Sequence, residues 1–198
     1  MSEEEDSEIL KRADAIQKKR EAAKLQQETK KLVKLDVGCG KNKKEGFIGI
    51  DKIKLDGVDI VHDLDAYPYP FDDNSVDEIH ASHIIEHLKD LCAFMDEMYR
   101  IMKPDTKLTV IAPYYSSMRA WQDPTHKRAI SEVTFMYFNK GWRDINKLDH
   151  YGIKCNFEFT YGYAVTQAWA TRSEEARNFA IRHYINVIDD IHVVLVKK

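Results

Sequence analysis

The chain has 198 residues, 43% of them hydrophobic and 11% aromatic, which is enough for one globular core and too apolar for a disordered chain. Its formal net charge of −3 supplies no global cationic field, which weighs against non-specific capture of nucleic acid or an anionic membrane. Cys39, Cys92 and Cys155 fit neither a disulfide framework nor a zinc knuckle, and the acidic opening from Ser2 to Glu8 is no signal peptide; with no apolar run of ~18 residues, a cytoplasmic chain without a membrane partner is expected.

Residues 1–31 form a charged extension of eight acids and eight bases without Gly, Pro or aromatic side chains. Acids come first and bases last, as the helix dipole prefers, with a thin stripe at Ile9, Ala13, Ile16 and Ala23. A lightly packed helix is the plain reading; a helix for self-association (a homodimer) or partner capture is the sharper one. From Leu32 short apolar runs alternate with helical patterns, so residues 32–198 read as one α/β domain. Strands are expected at 32–37, 47–51, 58–62, 76–81 and 108–112. Leu88, Leu91, Met95, Met98 and Met102 predict a core-packed helix that Lys103-Pro104 ends. The stretch 114–147 is too long for a plain connection, apart from a helix near 131–138, and is expected to be functional. Two last strands at 155–166 and 191–196 flank a helix over 173–187 with Ala176, Phe179, Ala180 and Tyr184 facing inward.

Leu35-Asp36-Val37-Gly38-Cys39-Gly40 ends the first strand on a glycine loop, where the backbone can turn sharply and approach a ligand. A dinucleotide fingerprint needs a third glycine where Lys43 stands. A P-loop needs glycine at Leu35 and Ser or Thr at Asn42. Only six residues separate Gly40 from Phe47, so no full helix follows to cradle a pyrophosphate, and a ligand without phosphate is favoured. Asp36, Asp51 and Asp63 stand at or near the carboxyl ends of the first three strands, where open α/β sheets bind ligands. A carboxylate there can accept both hydroxyls of a ribose, or the exocyclic amine of an adenine.

The order Asp36 to Gly40, Ile50-Asp51, Asp63-Leu64, Ala81 to Leu88, then Arg100 to Pro104 resembles the class I, Rossmann-like S-adenosylmethionine-dependent methyltransferases, of the type 11 kind. The resemblance spans roughly residues 32–140. It implies a seven-stranded, mostly parallel sheet with an antiparallel last strand and helices on both faces, and S-adenosyl-L-methionine as cofactor. By that resemblance Gly38, Cys39 and Gly40 pass the methionine part, and Asp36 meets its amino group through the loop or a water. Asp51, with Lys52 beside it, holds the ribose, Asp63 and Leu64 border the adenine, and Ser82 and His83 wall the pocket. Two departures stand out: the helix after the glycine loop is nearly absent, and Asp105-Thr106 replaces a glycine pair.

His83-Ile84-Ile85-Glu86-His87 matches the H-x-x-E-H metalloprotease pattern, which needs one helix holding both histidines and a third ligand. This segment straddles a strand end and a helix start, so no metal is expected. Asp123-Pro124-Thr125-His126 follows the fifth strand, where an acceptor-binding element belongs. Methyl transfer is an in-line displacement that chiefly needs alignment. An oxygen nucleophile also gains from a general base, for which His126 is the candidate and His83 or Glu86 the reserve. Tyr114, Arg119, Trp121, Asp123 and His126 are the expected acceptor contacts; the bland alternative is that Asp123 and His126 only pin the loop. The expected activity is methyl transfer to an oxygen of a small molecule or glycan. A cofactor-fold scaffold without turnover is the alternative. Nucleic-acid modification would need Lys41, Lys43, Lys44, Lys127 and Arg128 on one basic face, while the residues typical of exocyclic-amine and cytosine chemistry are missing.

Overall fold

The computed structural model describes residues 32–198 and, before them, Arg12 and residues 16–19. The chain divides into two units, Met1–Leu32 and Val33–Lys198. In the first, Arg12 and residues 16–19 are helical and exposed. The rest of the expected charged helix lies outside the described residues.

The second unit is built on one sheet: β1 (Lys34–Val37), β2 (Ile48–Asp51), β3 (Ile60–Val61), β4 (Val76–Ser82), β5 (Met102–Pro113), β6 (Phe157–Val165) and β7 (Ile188–Lys197). Its order is β3-β2-β1-β4-β5-β7-β6. The first five strands are parallel, and β7 runs antiparallel to both β5 and β6. This is the mostly parallel sheet that the alternating pattern predicts, with the reversed last strand that the resemblance implies. The chain leaves β1 toward β2 on one side and returns to β4 on the other, so the β1/β4 boundary is the switch point where such sheets leave a crevice.

Burial explains the strands. Leu35 and Val37 of β1, Ile79 and Ala81 of β4, and Leu108, Val110 and Ala112 of β5 are buried in one core. Each larger aliphatic side chain among them contributes roughly 1.5–3 kcal/mol by leaving water. Helix α1 (Leu91–Ile101) lays Leu91, Phe94, Met95, Met98 and Ile101 on that core. It starts later than the periodicity suggests because the Asp90 carboxylate accepts from Ala93 N and sets the N-cap. Leu88 is buried in the turn before the helix, and Met102 already belongs to β5, which is therefore longer than expected.

Between β1 and β2 no helix forms, and the loop 38–47 packs straight onto β2. The contact is tight at Gly49, where a Cβ would lie 2.6 Å from Gly57 O, 2.7 Å from Lys43 Cδ and 2.8 Å from Cys39 Sγ. Only glycine allows this approach.

The connection 114–147 carries three short helices, α2 (Arg119–Gln122), α3 (Glu132–Met136) and α4 (Lys140–Asn146). After β6 come α5 (Gln167–Ala170) and α6 (Glu174–His183), whose N-terminus is capped by Ser173 Oγ accepting from Ala176 N. The expected inward face of α6 is corrected here. Ala180 is buried, but Phe179 is 55% and Tyr184 53% exposed, because Tyr184 is already in extended backbone and both rings pack on each other rather than on the core.

Candidate functional site

A cleft of about 910 Å³ opens beyond the carboxyl ends of β1 to β4. One part of its wall is Gly38, Asp51, Lys52, Asp63 and Leu64; another is His83, His87, Thr125, His126 and Lys127.

The first part is fixed mainly by backbone. Gly38 has φ +71°, and Ile84 fills the space beside it so closely that a Cβ would meet that side chain at 2.6 Å. Asp51 Oδ2 accepts from Gly40 N at 3.0 Å and Oδ1 from Ile53 N at 3.1 Å, tying the end of β2 to the glycine loop. Asp36 is buried and holds the same loop from below, with Oδ2 accepting from Lys44 N at 2.7 Å and Oδ1 lying 3.0 Å from His80 Nδ1. Asp63 Oδ1 accepts from Asp65 N, and Asp65 Oδ1 from Lys89 N. Burial pushes the Cys39 thiol up to about 11, helped by the nearby Asp36 and Asp51 charges, so it stays protonated and is no nucleophile.

The second part is fixed by side chains. His83 sits just past β4 with φ +53°, a conformation uncommon outside glycine though one that histidine visits more than most. That twist turns residues 84–89 back over the sheet end. The loop 123–128 is then stitched onto this turn: Lys127 N donates to Glu86 O at 2.8 Å. Arg128 donates to Ile85 O at 3.0 Å and to Lys89 O at 2.9 Å. His126 Nδ1 lies 3.0 Å from Ala120 O, and His87 Nδ1 2.9 Å from Thr125 Oγ1. The His87 and His126 rings meet edge to face at 4.6 Å. Glu86 lies beneath them, with its Oε1 3.5 Å from His83 Nδ1 and 4.0 Å from His126 Nε2. The Glu86 carboxylate, and Asp190 more distantly, hold the His83 imidazole charged to higher pH than usual, against the opposing effect of burial.

Of the expected cofactor residues, Gly38, Asp51, Lys52, Asp63, Leu64 and His83 line the cleft, whereas Asp36, Cys39, Gly40 and Ser82 do not. Asp36, Cys39 and Gly40 are spent on loop shape and packing. Among the expected acceptor contacts only His126 lines it. Tyr114 is buried, its hydroxyl donating to Glu132 Oε2 at 3.0 Å. Trp121 is 70% exposed and its indole donates to Tyr115 O. Asp123 is turned to Thr125, whose backbone N–H and hydroxyl hold its carboxyl below the usual range. Arg119 pairs with Asp190 at 2.8 Å. The sequence carries no signal for Asp190: it reaches this place only because β7 pairs antiparallel with β5, which sets Asp190 opposite Pro113. Thr125 was legible only as the residue between Pro124 and His126. The basic face imagined for nucleic acid is partly consumed, since Lys43 pairs with Asp59 at 2.8 Å and Arg128 binds carbonyls.

Residues 44–110, from the glycine loop through β5, match the methyltransferase domain family model. Over those residues the chain is similar to a methyltransferase domain, and the 3-2-1-4-5-7-6 strand order with its reversed seventh strand is of the same fold. The domain is 26% identical over 106 residues to the demethylmenaquinone methyltransferase of Listeria welshimeri, a match covering 51% of this chain and 44% of that protein. The match thus spans less than half the length of the curated relative. A SAM-dependent methyltransferase from Archaeoglobus fulgidus shares its fold with TM-score 0.60 and 20% identity, over 92% of this chain and 94% of that one. The methyltransferase solved in complex with the Trm112 methyltransferase activator of Haloferax volcanii follows at TM-score 0.53 and 16% identity, covering 84% of this chain and 83% of that one. At these identities the two structures speak to fold alone. Among the described residues, no helix is long and apolar enough to cross a membrane.

Proposed function

We propose that the chain is an S-adenosylmethionine-dependent methyltransferase of the cytoplasm, with residues 32–198 as its catalytic domain and 1–31 as a charged extension. The acceptor is an oxygen of a small molecule or glycan. The observation that carries this reading is the single cleft that joins Gly38, Asp51 and Asp63 to His83, His87 and His126. In this reading the Asp51 carboxylate retains lone pairs, beyond the two given to Gly40 and Ile53, for the cofactor ribose. Gly38, whose side-chain position is closed by Ile84, offers the cofactor only its backbone, and Asp63 with Leu64 borders the adenine. The absence of a helix after Gly40 fits a cofactor without phosphate.

His126 is the candidate general base. Its Nδ1–H is engaged by the Ala120 carbonyl, which leaves Nε2 as the basic lone pair facing the cleft floor. His83 and Glu86 are the reserve. The relatives' names, demethylmenaquinone methyltransferases and SAM-dependent methyltransferases, support the methyl donor.

Calorimetric titration with S-adenosylmethionine, S-adenosylhomocysteine and NAD in parallel tests the reading. Binding of the first two but not of NAD is expected, and Asp51→Ala should remove it. No binding of any of the three overturns the proposal, and undiminished affinity in the Asp51→Ala protein overturns the cofactor placement. Acceptors can then be screened with labelled methyl.

A further inference from the structure

We infer that Glu86, His87 and His126 form a site for one zinc-class divalent ion in the histidine-lined part of the cleft. The reading rests on three independent observations. First, a ligand atom from each of the three residues lies within 4.8 Å of the others. A tetrahedral ion with bonds of about 2.05 Å needs its ligands about 3.3 Å apart, so the set must draw in by no more than about 1.5 Å.

Second, Glu86 is only 1% exposed, yet neither of its carboxylate oxygens accepts a hydrogen bond. His83 Nδ1, 3.5 Å from Oε1, approaches without making one. The His83 imidazole beside it offsets part of the cost of burying this carboxylate, yet both oxygens keep lone pairs that no hydrogen bond uses and that a cation can take.

Third, each imidazole has its Nδ1 held by a neighbour, as metal-ligating histidines have one nitrogen held. The Ala120 carbonyl can only accept, so His126 carries its proton on Nδ1 and presents Nε2 as a lone pair. Thr125 has one hydroxyl proton, donated to Asp123 Oδ1 at 2.7 Å, so it must accept from His87 Nδ1. His87 Nε2 is then a lone pair too. Ligating histidines have their other nitrogen fixed in this manner by a carbonyl or a carboxylate-linked group.

Two neutral imidazoles and one carboxylate suit zinc or another late first-row ion rather than Mg²⁺ or Ca²⁺, which take oxygen ligands. The expectation of no metal assumed that both histidines had to share one helix. Here the ligands come from a turn and from the loop stitched onto it. His87 and His126 line the cleft while Glu86 lies beneath, so the remaining coordination positions face the cleft and are open to water or an acceptor oxygen. Binding of the ion does not depend on the proposed function. Its use does rest on that reading, and would make His126 a ligand in place of a base.

The test strips the full chain with a chelator, then titrates Zn²⁺ against a chromophoric competitor and follows Co²⁺ by its visible absorption. One equivalent should bind. Glu86→Gln, His126→Asn and His87→Asn should each weaken binding more than about tenfold, and Thr125→Val by about 10–100-fold, with Thr125→Ser restoring it. No binding by the unaltered chain overturns the site, as does unchanged affinity in the folded Glu86→Gln and His126→Asn proteins. If Glu86→Gln fails to fold, His87→Asn, at the cleft surface, decides instead. S-adenosylhomocysteine titrated into the same metal-free samples separates the two readings: its binding there supports the methyltransferase assignment whatever the metal does.

Discussion

The two parts of the cleft wall are built in opposite ways. Around Gly38, Asp51 and Asp63, backbone N–H groups donate to the carboxylates of Asp36, Asp51 and Asp63 at or near the ends of β1 to β3, and close packing replaces a helix. Around His83 to Lys89 and 123 to 128, one turn and one loop are held by side chains reaching across: Arg128, Thr125, His87 and His126. A wall made by strand ends tolerates little change in shape. A wall made by side chains can alter its chemistry residue by residue while the sheet stays the same, which is how one fold serves many acceptors.

Substitutions can break that contrast. The largest effect is expected at Gly49→Ala, where the new methyl meets backbone Gly57 O at 2.6 Å, which cannot swing aside as the Lys43 side chain can. Such overpacking costs about 3 kcal/mol, read as a fall in the denaturant midpoint together with loss of cofactor binding. Gly38→Ala comes next. It adds about 1–2 kcal/mol of left-handed strain to a clash with Ile84, whose side chain can shift. Loss of S-adenosylhomocysteine affinity greater than loss of stability is expected there.

Arg128→Ala tests the other wall. It frees two carbonyls, Ile85 O and Lys89 O, and should cost about 1–3 kcal/mol. Hydrogen exchange should quicken at 123–127 while cofactor affinity stays within about twofold. Equal loss of cofactor affinity would mean that the two walls form one cooperative unit. The smallest effect concerns Glu78 of β4. Burial alone would raise its pKa, but Lys34 on β1 and Lys107 on β5 outweigh it and hold the carboxyl below its ordinary value. A carboxyl depressed in the folded state stabilises fully above its unfolded pKa, and the contribution fades as pH falls through the lowered folded one. Glu78→Gln should therefore flatten stability against pH below about 4.5, by less than about 1 kcal/mol, with no change at the cleft.

The same division governs what could be read in advance. Strand ends are local, so Gly38, Asp51 and Asp63 were legible from apolar runs stopped by glycine or acid. Asp36 was legible as important but not as a buried anchor, because its partner His80 comes from β4, 44 residues away. In the histidine-lined wall, sequence could propose His83, Glu86 and His126 but not their arrangement, which depends on the left-handed turn at His83 and the clamp of Arg128. Asp190 was invisible because only long-range antiparallel pairing brings it near. Aromatic spacing misled at Phe179 and Tyr184, where an amphipathic pattern stands for a ring cluster at the surface.

The close approach at Gly49 also separates the three sulfurs. Cys39 is wedged behind that glycine and Cys155 is buried, while Cys92 on the first turn of α1 is exposed. A folded chain thus offers one thiol to a maleimide, and the other two become reactive only when the sheet opens. Counting labelled sulfurs against denaturant would therefore report on the integrity of the sheet without any ligand, cofactor or assay of turnover.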